Sequence, residues 1–230
     1  MRKADRAAAG ILLMAAPALF IFAFSILGAQ YDYPDILRRE PAVIFEVIDQ
    51  GGDRLLALWH MMFAASLMFI PIAVLLRRAM PQESAAADLS VAFGVLAGLV
   101  QAMGFLRWII LNPALADAYA DPNANDAGRE AAAAVFAAFN AYIGAGVGEH
   151  LGYFFTGLWT IFVAIGLKGR SILLRIAGAA AALGILAGMA EPFGVPVAGQ
   201  LNAIAYGVWA LWLIVLGAAV AFGRDVSARS

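Results

Sequence analysis

Apolar stretches bounded by charge, proline or glycine fall at about 7–29, 54–76, 88–111, 131–167, 171–190 and 200–222. Each is near or above the ~20 residues a helix needs to cross a bilayer. The pattern predicts an all-α fold, an integral membrane bundle of six transmembrane helices forming a single domain over 1–230. The fourth stretch is too long for one crossing: at about 1.5 Å per residue it outruns a hydrocarbon core about 30 Å thick. Its first half is expected to project from the membrane or lie along it. Two long polar segments interrupt the pattern. In QYDYPDILRREPAVIFEVIDQGGD, the residues Ile36, Val43, Ile44, Val47 and Ile48 suit a short interfacial helix, whereas the Asn and Pro spacing of NPALADAYADPNANDAGRE reads as loop.

Composition agrees with the pattern. Hydrophobic residues are 63% of the chain, charged residues 13%, and the mean hydropathy is +0.84, against roughly half apolar and a quarter charged in a soluble domain. Cysteine is absent, which removes disulfides, thiolate metal sites and cysteine nucleophiles from consideration. The first apolar stretch is longer than a signal-peptide core and lacks a clear cleavage site, so it is expected to remain as a span.

Charge sets the expected orientation. With the amino terminus inside, Arg2, Lys3, Arg6, Arg77, Arg78, Lys168, Arg170, Arg175, Arg224 and Arg229 fall on cytoplasmic segments, against Arg38, Arg39, Arg54, Arg107 and Arg129 outside. Ten against five places both termini in the cytoplasm of a bacterial inner membrane. The acids lean the other way: eleven, from Asp32 to Glu191, fall outside, against Asp5, Glu83, Asp88 and Asp225 inside.

Within this frame the polar residues gather toward one side of the membrane. Counted along ideal helices, Glu149 lies about 28 Å above Lys168, His60 about 25 Å above Arg77, and Gln101 and Arg107 about 20 and 28 Å above Asp88. At about 100° per residue, Tyr142, Glu149, Tyr153, Thr156 and Thr160 share one face of the fourth helix, with His150 on its flank. Small and polar stripes predict interior faces elsewhere: Asp53, Ala57, His60, Ala64 and Pro71 on the second helix, and Ser90, Gly94, Gly98, Gln101, Gly104 and Trp108 on the third. The fifth carries Ala177, Gly184 and Gly188 before Glu191, and the sixth Asn202, Tyr206 and Trp209. Converged, these faces make an outward-opening polar pocket whose ligand-binding residues are His60, Gln101, Arg107, Glu149, His150, Tyr153, Glu191 and Tyr206. Arg107, off the Gly104 face, reads rather as an interfacial anchor or headgroup contact, and Gly144, Gly148 and Gly152 read as a packing ridge.

Intramembrane acids and histidines are functional by default, although residues near the boundary also snorkel or pair. The chemistry they carry stays open. No metal is expected, because adjacent Glu149 and His150 diverge by about 100° and no His-x-x-x-His or Glu-x-x-His pairing occurs. Phosphate-loop, dinucleotide and nucleophile-elbow motifs are missing, as is a basic nucleic-acid surface. The expected partners are the lipid bilayer and a small molecule or lipid headgroup, without cofactor or nucleic acid, and a homo-oligomer is left open. The leading reading is binding in that pocket, in transport or sensing. Its rivals are an intramembrane enzyme using Glu149 with a histidine as base and acid, a b-type haem protein using His60 and His150, and a structural subunit of a membrane complex.

The blocks GVGEHLGYFFTGLWT, LWH on the second helix and GQLNAIAYGVWALWLI on the sixth resemble an uncharacterised bacterial multi-pass membrane family, domain of unknown function 4386, over nearly all of the chain. The resemblance implies six membrane helices and supplies no reaction, substrate or catalytic residue. A reporter fused within 112–129 should read as external; a cytoplasmic reading there would overturn the orientation.

Overall fold

A computed structural model of the chain describes residues 2–81, 84–167, 171–195 and 197–222. Glu83, Lys168, Arg170, Arg224, Asp225 and Arg229 of the charge balance therefore lie outside the described residues. Among the described residues there is no strand. The helices are α1 (Lys3–Tyr31), α2 (Pro41–Leu67), α3 (Phe69–Arg77), α4 (Ala85–Ile109), α5 (Leu111–Ala120), α6 (Asp126–Phe139), α7 (Gly152–Gly166), α8 (Ile172–Ala187) and α9 (Ala198–Phe222). A π-helical segment, Asn140–Leu151, joins α6 to α7, and short 3-10 turns occupy Asp35–Arg38 and Gly188–Phe193. Six continuous helical runs are long and apolar enough to cross a membrane: Lys3–Tyr31, Pro41–Arg77, Ala85–Ala120, Asp126–Gly166, Ile172–Phe193 and Ala198–Phe222.

Proline explains two of the breaks. Met68 separates α2 from α3 three residues before Pro71, and Ile110 separates α4 from α5 three residues before Pro113. A proline ring clashes with the carbonyl four residues earlier and donates no hydrogen bond, so the helix loosens just upstream. Gly52 makes a third bend: it sits at φ 47°, ψ −142° within α2, a conformation that side chains other than hydrogen resist.

Two sequence expectations are corrected here. The segment 112–129 is not a loop: α5 and α6 cover it except for Asp121–Asn125, and the Asn125 side chain accepts from the Gly128 amide at 2.8 Å to start α6. The stripe Asp53, Ala57, His60, Ala64 and Pro71 is not interior, since all five residues are exposed. The buried side of that run carries Leu55, Leu58, Trp59, Met62, Phe69 and Ile72 instead. Large rings and branched chains give more dispersion contact than alanine, and in lipid small size does not by itself assign a face. Helix formation over the apolar residues near Pro41 is as expected; of the five apolar residues expected on it, Ile36 precedes the helix and is buried, Ile44 is buried, Val47 and Ile48 are half-buried, and Val43 is exposed.

Packing divides the chain into two compact units. The first contains the described residues of 1–18, 66–99 and 150–230, the second those of 19–65 and 100–149. The first is centred on Leu13, Ile72, Trp159, Ile185 and Leu213. Its α8 and α9 approach closely because small residues face large ones: a Cβ on Gly178 would meet the Trp212 ring at 2.7 Å, and one on Gly184 the Ala205 Cβ at 2.6 Å. Indole and amide donors are satisfied across the helices, with Trp209 Nε1 donating to Thr160 Oγ1, Trp212 Nε1 to the Leu174 carbonyl and Asn202 Nδ2 to the Ile185 carbonyl, each at 2.8 Å. At one end, Asp5 accepts from Arg2 and Arg78 at 3.2 and 2.9 Å, and Asp88 from Arg77 at 2.7 Å. The second unit is built on aromatic rings: Trp59 and Trp108 stack with centroids 4.5 Å apart, and Tyr33 stands edge-on to Trp59 at 5.1 Å.

Gly188 is the tightest of the small residues, since a Cβ there would lie 2.3 Å from Asn202 Nδ2. Gly188→Ala should displace Asn202 from the Ile185 carbonyl and cost ~1–3 kcal/mol of stability. Adding Asn202→Ala should recover part of that loss in a thermal melt, and strict additivity of the two would refute the clash.

Candidate functional site

The second unit holds a buried cation. Arg107 lies in the last turn of α4, in the sequence GFLRW, and is only 7% exposed. Its guanidinium is held from two helical runs. Nη1 donates back to the Gly104 carbonyl, Nη2 donates to Asn140 Oδ1 at 3.2 Å, and the guanidinium carbon lies 5.4 Å from the Trp108 ring centroid. Nε is buried with no hydrogen-bond partner among the described residues. The expectation that Arg107 anchors at an interface is thereby corrected. Its side chain folds against its own helix and across to the π segment, where glycine leaves it room.

That room is specific. A Cβ on Gly144 would lie 2.6 Å from Nη2 of Arg107, and a Cβ on Gly104 would lie 2.8 Å from the Gly148 Cα. Gly144 and Gly148 therefore act as the packing ridge expected of them, with Arg107 and Gly104 as what they pack on. Gly152 is buried as well. The π geometry has a second effect. Each π turn takes in one residue more than an α turn, so a face drawn at 100° per residue does not run through Asn140–Leu151. Tyr142, placed on the Glu149 face by that count, is 72% exposed, whereas Thr156 and Thr160 in the α-helical part are fully buried. π turns are rare and mostly single, and they concentrate at functional sites; twelve residues here take that form.

Tyr33 and Glu149 complete the electrostatics. Burial pushes the Tyr33 phenol up to about 12, with the positive charge of Arg107 pulling it down and the negative charge of Glu149 adding to the rise. Glu149 acts on Arg107 as well. Around Arg107 the second unit thus brings together a guanidinium, the Glu149 carboxyl and the neutral Tyr33 phenol, with Asn140 as an oriented acceptor. Two cavities lie in the second unit. One, of about 10 Å³, has walls including Leu27, Tyr33, Ile44, Trp59 and Trp108, room for about one water. Trp59 Nε1 and Trp108 Nε1 are buried without acceptors among the described residues. The other is an open groove of about 520 Å³ bordered by Leu19, Asp53, Leu56, Ala57, His60, Met61 and Ala64.

The predicted site residues are distributed as follows. Arg107 and Glu149 interact within the second unit, and half-buried Gln101 lies one turn before Gly104 on α4. His60 belongs to the second unit but is exposed on the groove, its Nδ1 2.9 Å from the Leu56 carbonyl. His150, Tyr153, Glu191 and Tyr206 belong to the first unit. There Tyr153 and Tyr206 meet ring to ring at 5.8 Å, and the exposed Glu191 lies by the start of α9, its carboxyl 3.1 Å from where a Gly199 Cβ would be. Among the described residues no three His, Asp or Glu side chains gather as a metal site. Sequence reasoning missed Asn140 and Tyr33. Asn140 left a signal, a lone amide inside an apolar run four residues before Gly144; Tyr33, in a polar segment, left none.

The Tyr33 phenol gives a pH test. Its acid form is favoured on folding, so this contribution is fully present below pH ~10 and is lost as pH rises toward 12, up to ~3 kcal/mol. Tyr33→Phe should flatten the fall in stability between those values. An unchanged alkaline slope would mean that the phenol is not shielded.

No curated protein and no solved structure matches the chain. Residues 8–217 match the family described as Domain of unknown function (DUF4386), and with that match spanning most of its length the chain, a multi-pass membrane protein by its six candidate spans, belongs to this family.

Proposed function

We propose that this multi-pass membrane protein binds the anionic group, a carboxylate or phosphate, of a small molecule or lipid headgroup at Arg107, with the bacterial inner membrane as its location and transport or sensing as its role. The observation that carries the reading is a buried guanidinium whose Nε has no hydrogen-bond partner among the described residues. A buried donor with nothing to donate to costs about 1–3 kcal/mol, more when charged, and burying a cation in a membrane domain is costly in itself. An incoming anionic oxygen would satisfy Nε, and a second would take Nη2 from Asn140. The planar fork makes two parallel bonds to such a group.

The remaining residues fit roles around that event. Asn140 holds the guanidinium while the site is empty and releases it on binding. Glu149 offsets the buried positive charge before the anion arrives, so that the anion competes with an internal carboxylate; this tunes affinity downward and permits release. Gly144 keeps the Nη2 edge clear of side chains. Gln101 is proposed as a neutral contact one turn away. His150, Tyr153, Glu191 and Tyr206 belong to the first unit and His60 is exposed on the groove, and the Arg107 site is proposed without them.

The test uses purified full-length protein titrated separately with inorganic phosphate, acetate and phosphatidylglycerol, read by tryptophan fluorescence, since Trp108 neighbours Arg107. One of the three should bind saturably. Arg107→Lys, which keeps the charge and loses the fork, should weaken that binding ~10-fold or more. Glu149→Gln should strengthen it. No saturable binding of any of the three, or equal binding by the Arg107→Lys protein with an unchanged melt, would remove the reading.

A further inference from the structure

Among the described residues the chain passes between its two units four times, at 18–19, 65–66, 99–100 and 149–150. Three of these crossings fall on weakened helix. Pro17 stands just before the first, within α1, and has no N–H for the Leu13 carbonyl. The second crossing lies just upstream of the Met68 break, where Pro71 in the same way cannot donate to the Leu67 carbonyl. The fourth falls within the π segment, close to where the backbone returns to α geometry at Gly152. Prolines and π turns are the usual places where helices bend.

The third crossing is different. There α4 is continuous, and it passes between two close backbone contacts. A Cβ on Gly98 would lie 2.8 Å from the Ser66 carbonyl oxygen, within the first unit, and one on Gly104 would lie 2.8 Å from the Gly148 Cα, within the second. α4 is thus held to the second run beside its break and to the fourth run in its π segment, next to two of the weakened crossings. The interior of each unit is tight. In the first, a Cβ on Gly157 would meet Leu186 Cγ at 2.5 Å; in the second, the Trp59 and Trp108 rings stack. Packed interiors do not deform continuously, so a change of shape concentrates where the helices are weak.

We infer that the four crossings form a hinge, in which the second unit turns against the first as a body about α4 while the other three runs bend at Pro17, at Met68 and at the end of the π segment. Hinges are a few residues, often at element ends, that absorb the backbone change. Tyr33, Arg107, Asn140 and Glu149 all belong to the second unit, so the motion carries their arrangement whole and does not depend on what Arg107 binds.

The chain contains no cysteine, so cysteines introduced in pairs at exposed positions carry spin labels without background. Three pairs would be measured in full-length protein in lipid nanodiscs by double electron–electron resonance: Ile11→Cys with Leu183→Cys inside the first unit, Val43→Cys with Val135→Cys inside the second, and Leu183→Cys with Val135→Cys from one unit to the other. The distance distribution of the third pair should be about twice as wide as the other two, or split in two. Pro17→Ala combined with Pro71→Ala restores both helical donors and should narrow the third pair toward the width of the others. The first two pairs, unchanged in the same background, report that the variant is folded. Pro71→Ala alone, at an exposed position, should produce part of the narrowing. A third pair as narrow as the other two would overturn the hinge, as would breadth shared by all three. A wide third distribution that both alanines leave unchanged would overturn it as well.

Discussion

A guanidinium that is 93% buried in an aromatic and aliphatic environment has to be compensated on every side, and the second unit of this protein is organised around doing so for Arg107. Two of its N–H edges are met by the Gly104 carbonyl and the Asn140 side chain, one flank faces the Trp108 ring, and Glu149 supplies opposite charge. In a low-dielectric interior each contribution is worth more than in water, and each omission costs more. The requirement also explains two sequence features that otherwise look unrelated. Glycines must stand where the guanidinium and the α4 backbone approach, and an amide must stand one π turn before the glycine pair. The widened turns of Asn140–Leu151 are the local backbone answer to that packing.

The two units are built on different terms. The first relies on close helix contact between small and large residues and on indole and amide donors paired to carbonyls and hydroxyls, and Asp5 and Asp88 hold Arg78 and Arg77. Trp159 Nε1 is its one buried side-chain donor without a partner among the described residues. The second unit leaves Trp59 Nε1, Trp108 Nε1, Asn112 Nδ2 and Arg107 Nε without partners among the described residues. Unsatisfied buried donors are expensive in a membrane protein, and four of the five among the described residues are in this unit. α1, α2, α4 and the π segment each contribute residues to both units.

The architecture was legible in the sequence because spanning length and apolar composition are properties of whole segments, robust to the fate of any one residue. Faces were less legible. The assumption that small and polar residues line the interior held for Ser90, Thr156, Thr160 and Asn202, all buried. It failed for Asp53, Ala57, His60 and Ala64, where tryptophan stacking claimed the other side of the helix. On the fourth run the α period itself failed, since nothing in a 100° projection announces a π turn. Arg107 was recognised as a residue of interest for its charge. Its burial depends on Gly144, thirty-seven residues away in the sequence, and on Asn140, and such a long-range dependence leaves no local mark. The four-residue spacing of Gly144 and Gly148 and the lone amide of Asn140 four residues before Gly144 were the visible traces.

The central claim is that Arg107 and Glu149 form a single electrostatic unit in the protein interior. A double-mutant cycle measures it directly, comparing the stabilities of the wild type, Arg107→Met, Glu149→Gln and the combined variant in the same detergent. Arg107→Met alone leaves a half-buried carboxyl without its compensating cation, and Glu149→Gln alone leaves a buried cation without its counter-charge. The account predicts that the combined variant is more stable than the sum of the single losses requires, by ~1 kcal/mol or more. Additive losses within ~0.3 kcal/mol would contradict it, and would mean that the two charges are accommodated independently.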